Sequence, residues 1–239
     1  MRRSFRFVSA ALAGVLLCCL PASAAEINGT VTYDGTVPKL RPLKMEADPG
    51  CLKKHAGPVQ PEFLVLGEGN TLANIFVKVK SGLASKQHPT PTEPVVLDQS
   101  GCRYDPHVMG VMVGQAFKIL NSDGLLHNVH SLPKINTSFN RAMPAAVKEA
   151  EFSFSKVEPI FKIKCDVHPW MGAYVAVMDH PYFSVTGKDG KFSISGLPAG
   201  TYEIEAWHEK MKTKTMNVTV ADGETKTADF SFSPPPKKK

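Results

Sequence analysis

Apolar and polar residues alternate along this chain in short stretches, and Gly, Pro, Asn and Asp separate one stretch from the next. Alternation with a period of two is typical of half-buried β-strands, and no long amphipathic helix pattern occurs. The pattern predicts strands over 27–33, 73–79, 94–97, 115–120, 151–154, 161–164, 174–178, 191–195, 201–207, 217–220 and 227–232. Short strands with frequent turns predict an all-β chain made of β-sandwiches.

The first 24 residues have the pattern of a secretory signal peptide. Three arginines lead into an apolar run over 7–20, and Ala22-Ser23-Ala24 follows Pro21. A basic start, a short apolar middle and an Ala-x-Ala end predict cleavage near Ala24. A membrane anchor is the alternative, but the run is shorter than the about 20 apolar residues that span a bilayer. We expect a periplasmic or secreted protein with no transmembrane segment in the mature chain.

The charge of the folded body is close to neutral. Removal of the leader arginines lowers the formal net charge from +6 to +3, and Lys237, Lys238 and Lys239 account for the remainder. A nucleic-acid-binding domain needs a basic surface of its own, so we do not expect this protein to bind nucleic acid. Residues 234–239 are predicted to be a disordered Pro/Lys tail.

Three cysteines remain once Cys18 and Cys19 leave with the leader. In an oxidising compartment, a disulfide between Cys51 and Cys102 is the economical pairing, and it leaves Cys165 as a single thiol. An unligated thiol is an oxidation liability outside the cytoplasm, so binding of a metal explains Cys165 better than a structural role does. A buried cysteine acting as a small apolar residue is the alternative.

Four residues supply the candidate chemistry. They provide two imidazoles, one thiol and one thioether: His127, Cys165, His168 and Met171. Soft sulfur ligands favour Cu(I) and imidazole suits Cu(II), so this set is typical of a blue-copper electron-transfer site. His130 is a competitor for His127, but residues three apart on a strand point to opposite faces.

The sequence around these residues resembles the cupredoxins over about 91–180, and within them the amicyanins and pseudoazurins. The resemblance rests on Asn-x-Asp at 121–123, His-Asn-Val-His at 127–130 and Cys-x2-His-x2-Met at 165–171. It implies a Greek-key β-sandwich with one type 1 copper ion, bound by His127, Cys165, His168 and Met171, the last as the long axial ligand.

The same resemblance implies roles for three neighbours of the ligands. Asn128 is expected to hydrogen-bond to the ligand loop, and Pro169 and Trp170 to form an apolar collar around an exposed edge of His168. That edge would be the port for electrons. The chain departs from the family at Lys162 and Lys164, which place charge before the cysteine and are expected to lower the pKa of the thiol.

A second resemblance covers residues 181–233. Asp-Gly-x-Phe-x-Ile at 189–194 and Leu-Pro-x-Gly-x-Tyr at 197–202 resemble the carboxypeptidase regulatory-like, or transthyretin-like, sandwich. About fifty residues are few for a complete sandwich. Because residues 28–38 and 73–79, within the N-terminal segment 25–90, resemble the opening strands of the same module, we hypothesise a split domain with the cupredoxin domain, 91–180, inserted between its halves.

These patterns predict a carrier of single electrons between periplasmic redox partners such as a cytochrome c or a dehydrogenase. Catalysis is not expected, because copper oxidases and nitrite reductases use further copper centres with His-x-His pairs, and the sequence has none. A copper storage or delivery protein is one alternative, and a metal-free surface interaction module is another. Whether His107, His180 or His208 form a second metal site stays open.

Overall fold

The computed structural model describes residues 23–84 and 87–234. The predicted signal peptide and the end of the predicted tail lie mostly outside these residues. The seventeen strands within them are β1 Ala25–Tyr33, β2 Phe76–Ser81, β3 Val95–Ser100, β4 Arg103–Asp105, β5 Val108–Met112, β6 Phe117–Asn121, β7 His127–Ser131, β8 Asn140–Met143, β9 Glu149–Phe152, β10 Glu158–Lys164, β11 Gly172–Met178, β12 Phe183–Val185, β13 Lys191–Leu197, β14 Gly200–His208, β15 Lys212–Val220, β16 Thr225–Thr227 and β17 Phe230–Phe232.

Helical structure in the described residues is limited to short turns. These are the 3₁₀ helices Met45–Ala47 and Glu68–Asn70 and one turn of α-helix, α1, at Pro49–Leu52. The prediction of an all-β fold is confirmed.

Strands from both ends of the chain form one sandwich, here called the terminal sandwich. One sheet has the order β13-β1-β16, with β17 also paired to β1, and the other has the order β12-β2-β14-β15. Strand β1 alternates buried and half-buried positions along its whole length, as a strand facing a core on one side must. The core between the two sheets includes Ile27, Val77, Ile194 and Ile204. Strands from the two ends of the described chain therefore share one core.

The strands between these two halves form a second sandwich, here called the inserted sandwich. Its sheets have the orders β5-β11-β10-β7-β8 and β4-β3-β6-β9. Leu97, Phe117, Val129 and Ile163 are fully buried between them. Strands β7, β10 and β11 are neighbours in one sheet, so the ends of these strands, which carry the candidate ligands, lie side by side.

An apolar contact joins the two sandwiches. Phe76 of β2, Val108 of β5 and Ala176 of β11 are buried in one cluster, against which Phe183 and other residues pack. Gly110 is required at this contact, because a Cβ there would lie 2.5 Å from the Phe183 ring. The inserted sandwich therefore packs directly against one sheet of the terminal sandwich.

The chain between β1 and β2 packs against the inserted sandwich for part of its length. Met45 and Cys51 are buried in the core of the inserted sandwich, with Leu43 and Val59 packed at its margin. Residues 25–90 were expected to belong to the terminal sandwich, but this part of them packs against the inserted one. As a result, residues from the N-terminal region reach the candidate ligands.

Most differences between predicted and observed strands concern their ends. Strand β2 begins at Phe76 rather than at residue 73, since Asn74 has a positive φ of 63° and interrupts the extended backbone. The strand predicted over 227–232 is divided into β16 and β17, both parallel to β1. Strand β15 is longer than predicted, because it pairs with β14 along its full length.

Candidate metal centre

All four candidate ligands are buried at one end of the inserted sandwich. His127 is the first residue of β7, Cys165 follows the end of β10, and His168 and Met171 lie in the loop that leads into β11. Their exposed fractions are between 0% and 2%. The structure therefore brings the residues selected from the sequence into one region of the core.

The loop from Cys165 to Met171 is closed by hydrogen bonds between its own residues. Met171 N–H donates to the His168 carbonyl at 2.9 Å, and Cys165 N–H donates to the Met171 carbonyl at 3.3 Å. His168 N–H donates to Cys165 Sγ at 3.3 Å. The Met171 side chain packs in the same core cluster as Cys165. A loop closed in this way has little freedom to rearrange.

Three donor atoms, two from this loop and one from His127 of β7, converge in the core. The Nδ1 atoms of His127 and His168 are 3.0 Å apart, and Cys165 Sγ is 3.8 Å from His168 Nδ1. Donor atoms of the three residues all lie within 4.8 Å of one another. Two inward-facing imidazole nitrogens and one thiol, buried together, fit the donor set that copper prefers.

The outward nitrogen of each imidazole is bound by a carboxylate. His127 Nε2 donates to Asp123 Oδ2 at 2.9 Å, and His168 Nε2 donates to Asp48 Oδ2 at 2.9 Å. Such a partner fixes the ring orientation and leaves Nδ1 to face a metal. The two histidines thus have the same arrangement, although their carboxylates come from distant parts of the chain.

Both carboxylates are themselves fixed by backbone donors. Asp48 Oδ1 accepts from the N–H groups of Gly50 and Cys51, at 2.8 and 3.3 Å. Asp123 accepts from the N–H groups of Gly101 and Cys102, at 2.8 and 2.7 Å. Each carboxylate is therefore held by one of the two cysteines that form the disulfide.

The protonation of the site reflects these contacts. Burial alone would raise the pKa of Asp123, but hydrogen bonds from His127, Cys102 N–H and other donors lower it to about 2. Burial alone would lower the pKa of His127, but hydrogen bonds to Asp123 and Cys165 raise it to about 9. Burial alone would raise the pKa of the Cys165 thiol, but hydrogen bonds from His127 and backbone N–H groups lower it to about 7. The environment thus favours the thiolate, the form that binds metal.

Asn128 connects β7 to the ligand loop. Its Oδ1 accepts a hydrogen bond from Asp166 N–H, one residue after Cys165. Its backbone carbonyl accepts from the buried Tyr104 hydroxyl. The side chain therefore ties the strand of one candidate ligand to the loop of the others.

The surroundings of His168 differ from the expectation of an exposed edge. His168 is 2% exposed, and Asp48 covers its outer nitrogen. Trp170 packs against the His168 ring with centroids 5.0 Å apart and donates from Nε1 to the Cys102 carbonyl at 3.1 Å. Pro169 lines a groove of about 500 Å³ beside the loop. The expected port at His168 is covered because the chain around Asp48 crosses over it.

The other histidines lie elsewhere. His130 is half-buried and bonds through Nδ1 to Asp166 at 2.9 Å, away from the donor cluster. His107 bonds to Glu209 at 2.7 Å, at the junction of the sandwiches. His208 bonds to the Phe63 carbonyl at 2.7 Å, and the Nδ1 of His180 accepts from Tyr182 N–H. Within the described residues, no group of three potential ligands includes any of these four.

The predicted disulfide between Cys51 and Cys102 is confirmed, and Cys165 is the one free cysteine of the described residues. Lys164, expected to act on the thiol, instead binds Asp166 at 2.7 Å.

Sequence reasoning missed the roles of Asp48 and Asp123. Asp123 could have been found, because it precedes His127 by four residues in the quoted motif. Asp48 gives no such signal, because 120 positions separate it from His168.

Comparisons with known proteins match separate parts of the chain. Residues 167–233 match the family described as carboxypeptidase regulatory-like domain. No curated protein matches the chain.

Solved copper proteins are among the structural matches. A Cu-containing nitrite reductase from Thermus scotoductus has 17% identity and a TM-score of 0.34 over 42% of this chain, which spans about a quarter (26%) of that protein. The Cu(I) form of a methionine-to-alanine mutant of amicyanin has 19% identity and a TM-score of 0.32, over 43% of this chain and 98% of amicyanin. A purple cupredoxin from Nitrosopumilus maritimus has 21% identity and a TM-score of 0.30, over 35% and 98%.

No helix in residues 23–84 and 87–234 is both long enough and apolar enough to cross a membrane.

Proposed function

We propose that this chain is an exported protein that binds one type 1 copper ion and carries single electrons between periplasmic redox partners. The ligands would be His127, Cys165, His168 and Met171. The observation that carries the proposal is the convergence of a thiol and two imidazole Nδ1 atoms, all buried, within 4.8 Å. Bound copper would supply a one-electron couple, Cu(II)/Cu(I).

The protein's own residues would prepare the site for that couple. Asp123 and Asp48 hold the imidazoles with Nδ1 inward, so the rings need not turn when the charge of the centre changes. The hydrogen-bonded loop keeps Cys165 and Met171 in place. Burial excludes water from the donor atoms. A site that changes little between two charge states suits fast electron transfer.

The partner would be a soluble redox protein such as a cytochrome c or a dehydrogenase. The groove beside the ligand loop, lined by Val167, His168, Pro169 and Trp170 among others, is a concave surface next to the donors. Val167 is 43% exposed there. A small, mostly apolar contact suits a weak complex that dissociates quickly. We do not assign catalysis to this centre.

The test is a titration of the purified mature protein with Cu(II). We expect one equivalent to bind, with an intense thiolate-to-copper absorption, the paramagnetic-resonance signal of type 1 copper, and reversible one-electron reduction. Failure to bind copper stoichiometrically would contradict the proposal and favour the metal-free surface module.

Copper storage or delivery is the second candidate, and the covered His168 favours it. A store would hold Cu(I) with the same ligands but would exchange electrons slowly. The two are separated by voltammetry on the copper-loaded protein. Fast, reversible one-electron transfer identifies a carrier, whereas bound copper without a reversible couple identifies a store.

A further inference from the structure

Residues 45–55 lie across the His168 side of the candidate metal centre, and we call this segment the cover. Its first part is the 3₁₀ helix Met45–Ala47, and α1 follows at Pro49–Leu52. Just outside it, Leu43 N–H donates to the Val59 carbonyl at 2.8 Å, which closes the segment into a loop. Met45 and Cys51 anchor it in the core of the inserted sandwich.

Three contacts fasten the cover to loops that surround the donors, in addition to the contact at His168. The disulfide joins Cys51 to Cys102. His55 Nε2 donates to the Gly101 carbonyl at 2.8 Å. Lys54 Nζ lies 3.1 Å from Asp123 Oδ1, the carboxylate behind His127. The cover is therefore attached to the supports of both histidines and not only to the one it lies over.

Asp48 is the point at which the cover meets a ligand. One of its oxygens is taken by the N–H groups that begin α1, and the other accepts from His168 Nε2. Cys51 Sγ is 3.5 Å from the same nitrogen. Consequently His168 is 2% exposed, while its neighbour Val167 is 43% exposed. The covered surface is thus the histidine edge itself, not the ligand loop as a whole.

We propose that the disulfide-clipped cover positions His168 through Asp48 and controls how fast copper enters and leaves the centre. This inference rests on the proposed copper function. In this arrangement Asp48 is a positioning residue, because it acts on copper only through the imidazole. Exchange of the ion requires His168 to turn away, and the cover blocks that motion as long as Asp48 and the disulfide hold it.

Two variants and one matched control test the cover. Asp48→Asn keeps an oxygen that can accept from the first N–H groups of α1, but it puts a neutral amide opposite His168. Glu46→Gln removes the same charge from an exposed position of the same segment. The double variant Cys51→Ala with Cys102→Ala removes the clip and leaves Asp48 in place. Circular dichroism establishes that each variant is folded.

The first readout needs no metal. Metal-free full-length protein is treated with diethyl pyrocarbonate, and modification of each histidine is followed by peptide mass spectrometry. His168 should be protected in the wild type and in Glu46→Gln, with half-buried His130 modified readily in all proteins as the internal reference. In Asp48→Asn, we expect His168 to be modified at least about 10-fold faster, the factor that a lost charge-assisted hydrogen bond implies. The double variant keeps that hydrogen bond but frees the cover, so its His168 should also be modified faster than that of the wild type.

The second readout is the rate at which a chelator removes copper. We expect removal about 10- to 100-fold faster from Asp48→Asn than from Glu46→Gln, because loss of the outer partner of a ligating histidine lowers metal affinity by about that factor. Equal rates of His168 modification and of copper loss in wild type and both variants would overturn the proposed role of the cover. The proposed copper function would then remain intact. Absence of copper binding in the wild type would contradict the proposed function and, with it, any role of the cover in exchange.

Discussion

The two sandwiches bury different kinds of polar side chain. Eight of the ten buried polar residues in the described chain lie in the inserted sandwich, between Gln99 and His168. The two in the terminal sandwich, Thr186 and His208, bond to backbone carbonyls at 2.7 Å. Burying a polar group is costly unless it is paired, so the concentration of such groups in one sandwich needs a reason.

Three of these eight side chains surround the donors: His127 and His168 bond to other side chains, and Asn128 bonds to the loop that carries Cys165. The other five, like the two in the terminal sandwich, bond mainly to backbone groups. The cluster around His127 and His168 is therefore what distinguishes the inserted sandwich. The terminal sandwich supplies a frame against which the inserted one packs.

Cys165→Ser should have the largest effect, and that effect should be confined to the inserted sandwich. Loss of the thiolate removes the soft ligand, so we expect the intense absorption with Cu(II) to disappear. The thiol lies in the core of the inserted sandwich, so unfolding of the terminal sandwich should be unchanged. Optical titration with Cu(II), together with urea unfolding, measures both effects. A variant that still gave the wild-type absorption would show that Cys165 is not a ligand.

Ile204→Ala should affect the terminal sandwich alone. Ile204 is fully buried in β14, and a cavity at such a site lowers the free energy of unfolding by about 2–5 kcal/mol. Urea unfolding followed by circular dichroism gives this value, and the copper absorption serves as a separate probe of the inserted sandwich. Loss of the absorption in the absence of urea would mean that the two regions are not separable as described.

Glu158→Gln should weaken the inserted sandwich through its polar groups. The Glu158 carboxylate accepts hydrogen bonds from Lys134, Ile135 and Asn136 N–H at 2.7 to 2.8 Å. Hydrogen bonds to a charged group are worth about 1.5–3 kcal/mol, and we expect a loss of that size. Glu149→Gln is the matched control, because Glu149 is exposed and pairs with Lys118 only at the surface.

The same carboxylate predicts a dependence of stability on pH. Burial raises the pKa of Glu158, but its backbone hydrogen bonds lower it below the ordinary value overall. A group with a lowered folded pKa contributes stability at neutral pH and loses it as the pH falls below about 4.3 toward the folded pKa. The difference in unfolding free energy between wild type and Glu158→Gln should therefore shrink in acid. A difference that grew on acidification would contradict this sign.

Met171→Leu should have the smallest effect on binding. The axial thioether is a weak ligand that tunes the reduction potential, so copper should stay bound while the potential shifts. Met178→Leu is the control, since Met178 is also buried but lies in the contact between the sandwiches. Voltammetry of both loaded variants measures the shift. An unchanged potential and spectrum for Met171→Leu would remove Met171 from the ligand set.

The sequence predicted those features that depend on neighbouring residues. Alternation located most strands, and the short spacing from Cys165 to Met171 selected the ligand loop. Strand geometry distinguished His127 from His130, because that argument needs only three residues of one strand. Each of these signals lies within a few positions along the chain.

The cover could not be predicted in the same way. Residues 45–55 have neither strand nor helix periodicity, and Asp48 meets His168 across 120 positions. The predicted disulfide between Cys51 and Cys102 does not indicate which side chain reaches the histidine. Contacts between distant segments depend on packing, which residue patterns alone do not specify.

The central claim is that Cys165, His127 and His168 bind one copper ion together. X-ray absorption at the copper edge, on protein loaded with one equivalent, reports the atoms around the ion directly. We predict one short bond to sulfur and two to imidazole nitrogen, with the sulfur bond absent from Cys165→Ser. Copper surrounded only by nitrogen and oxygen in the wild-type protein would contradict the account.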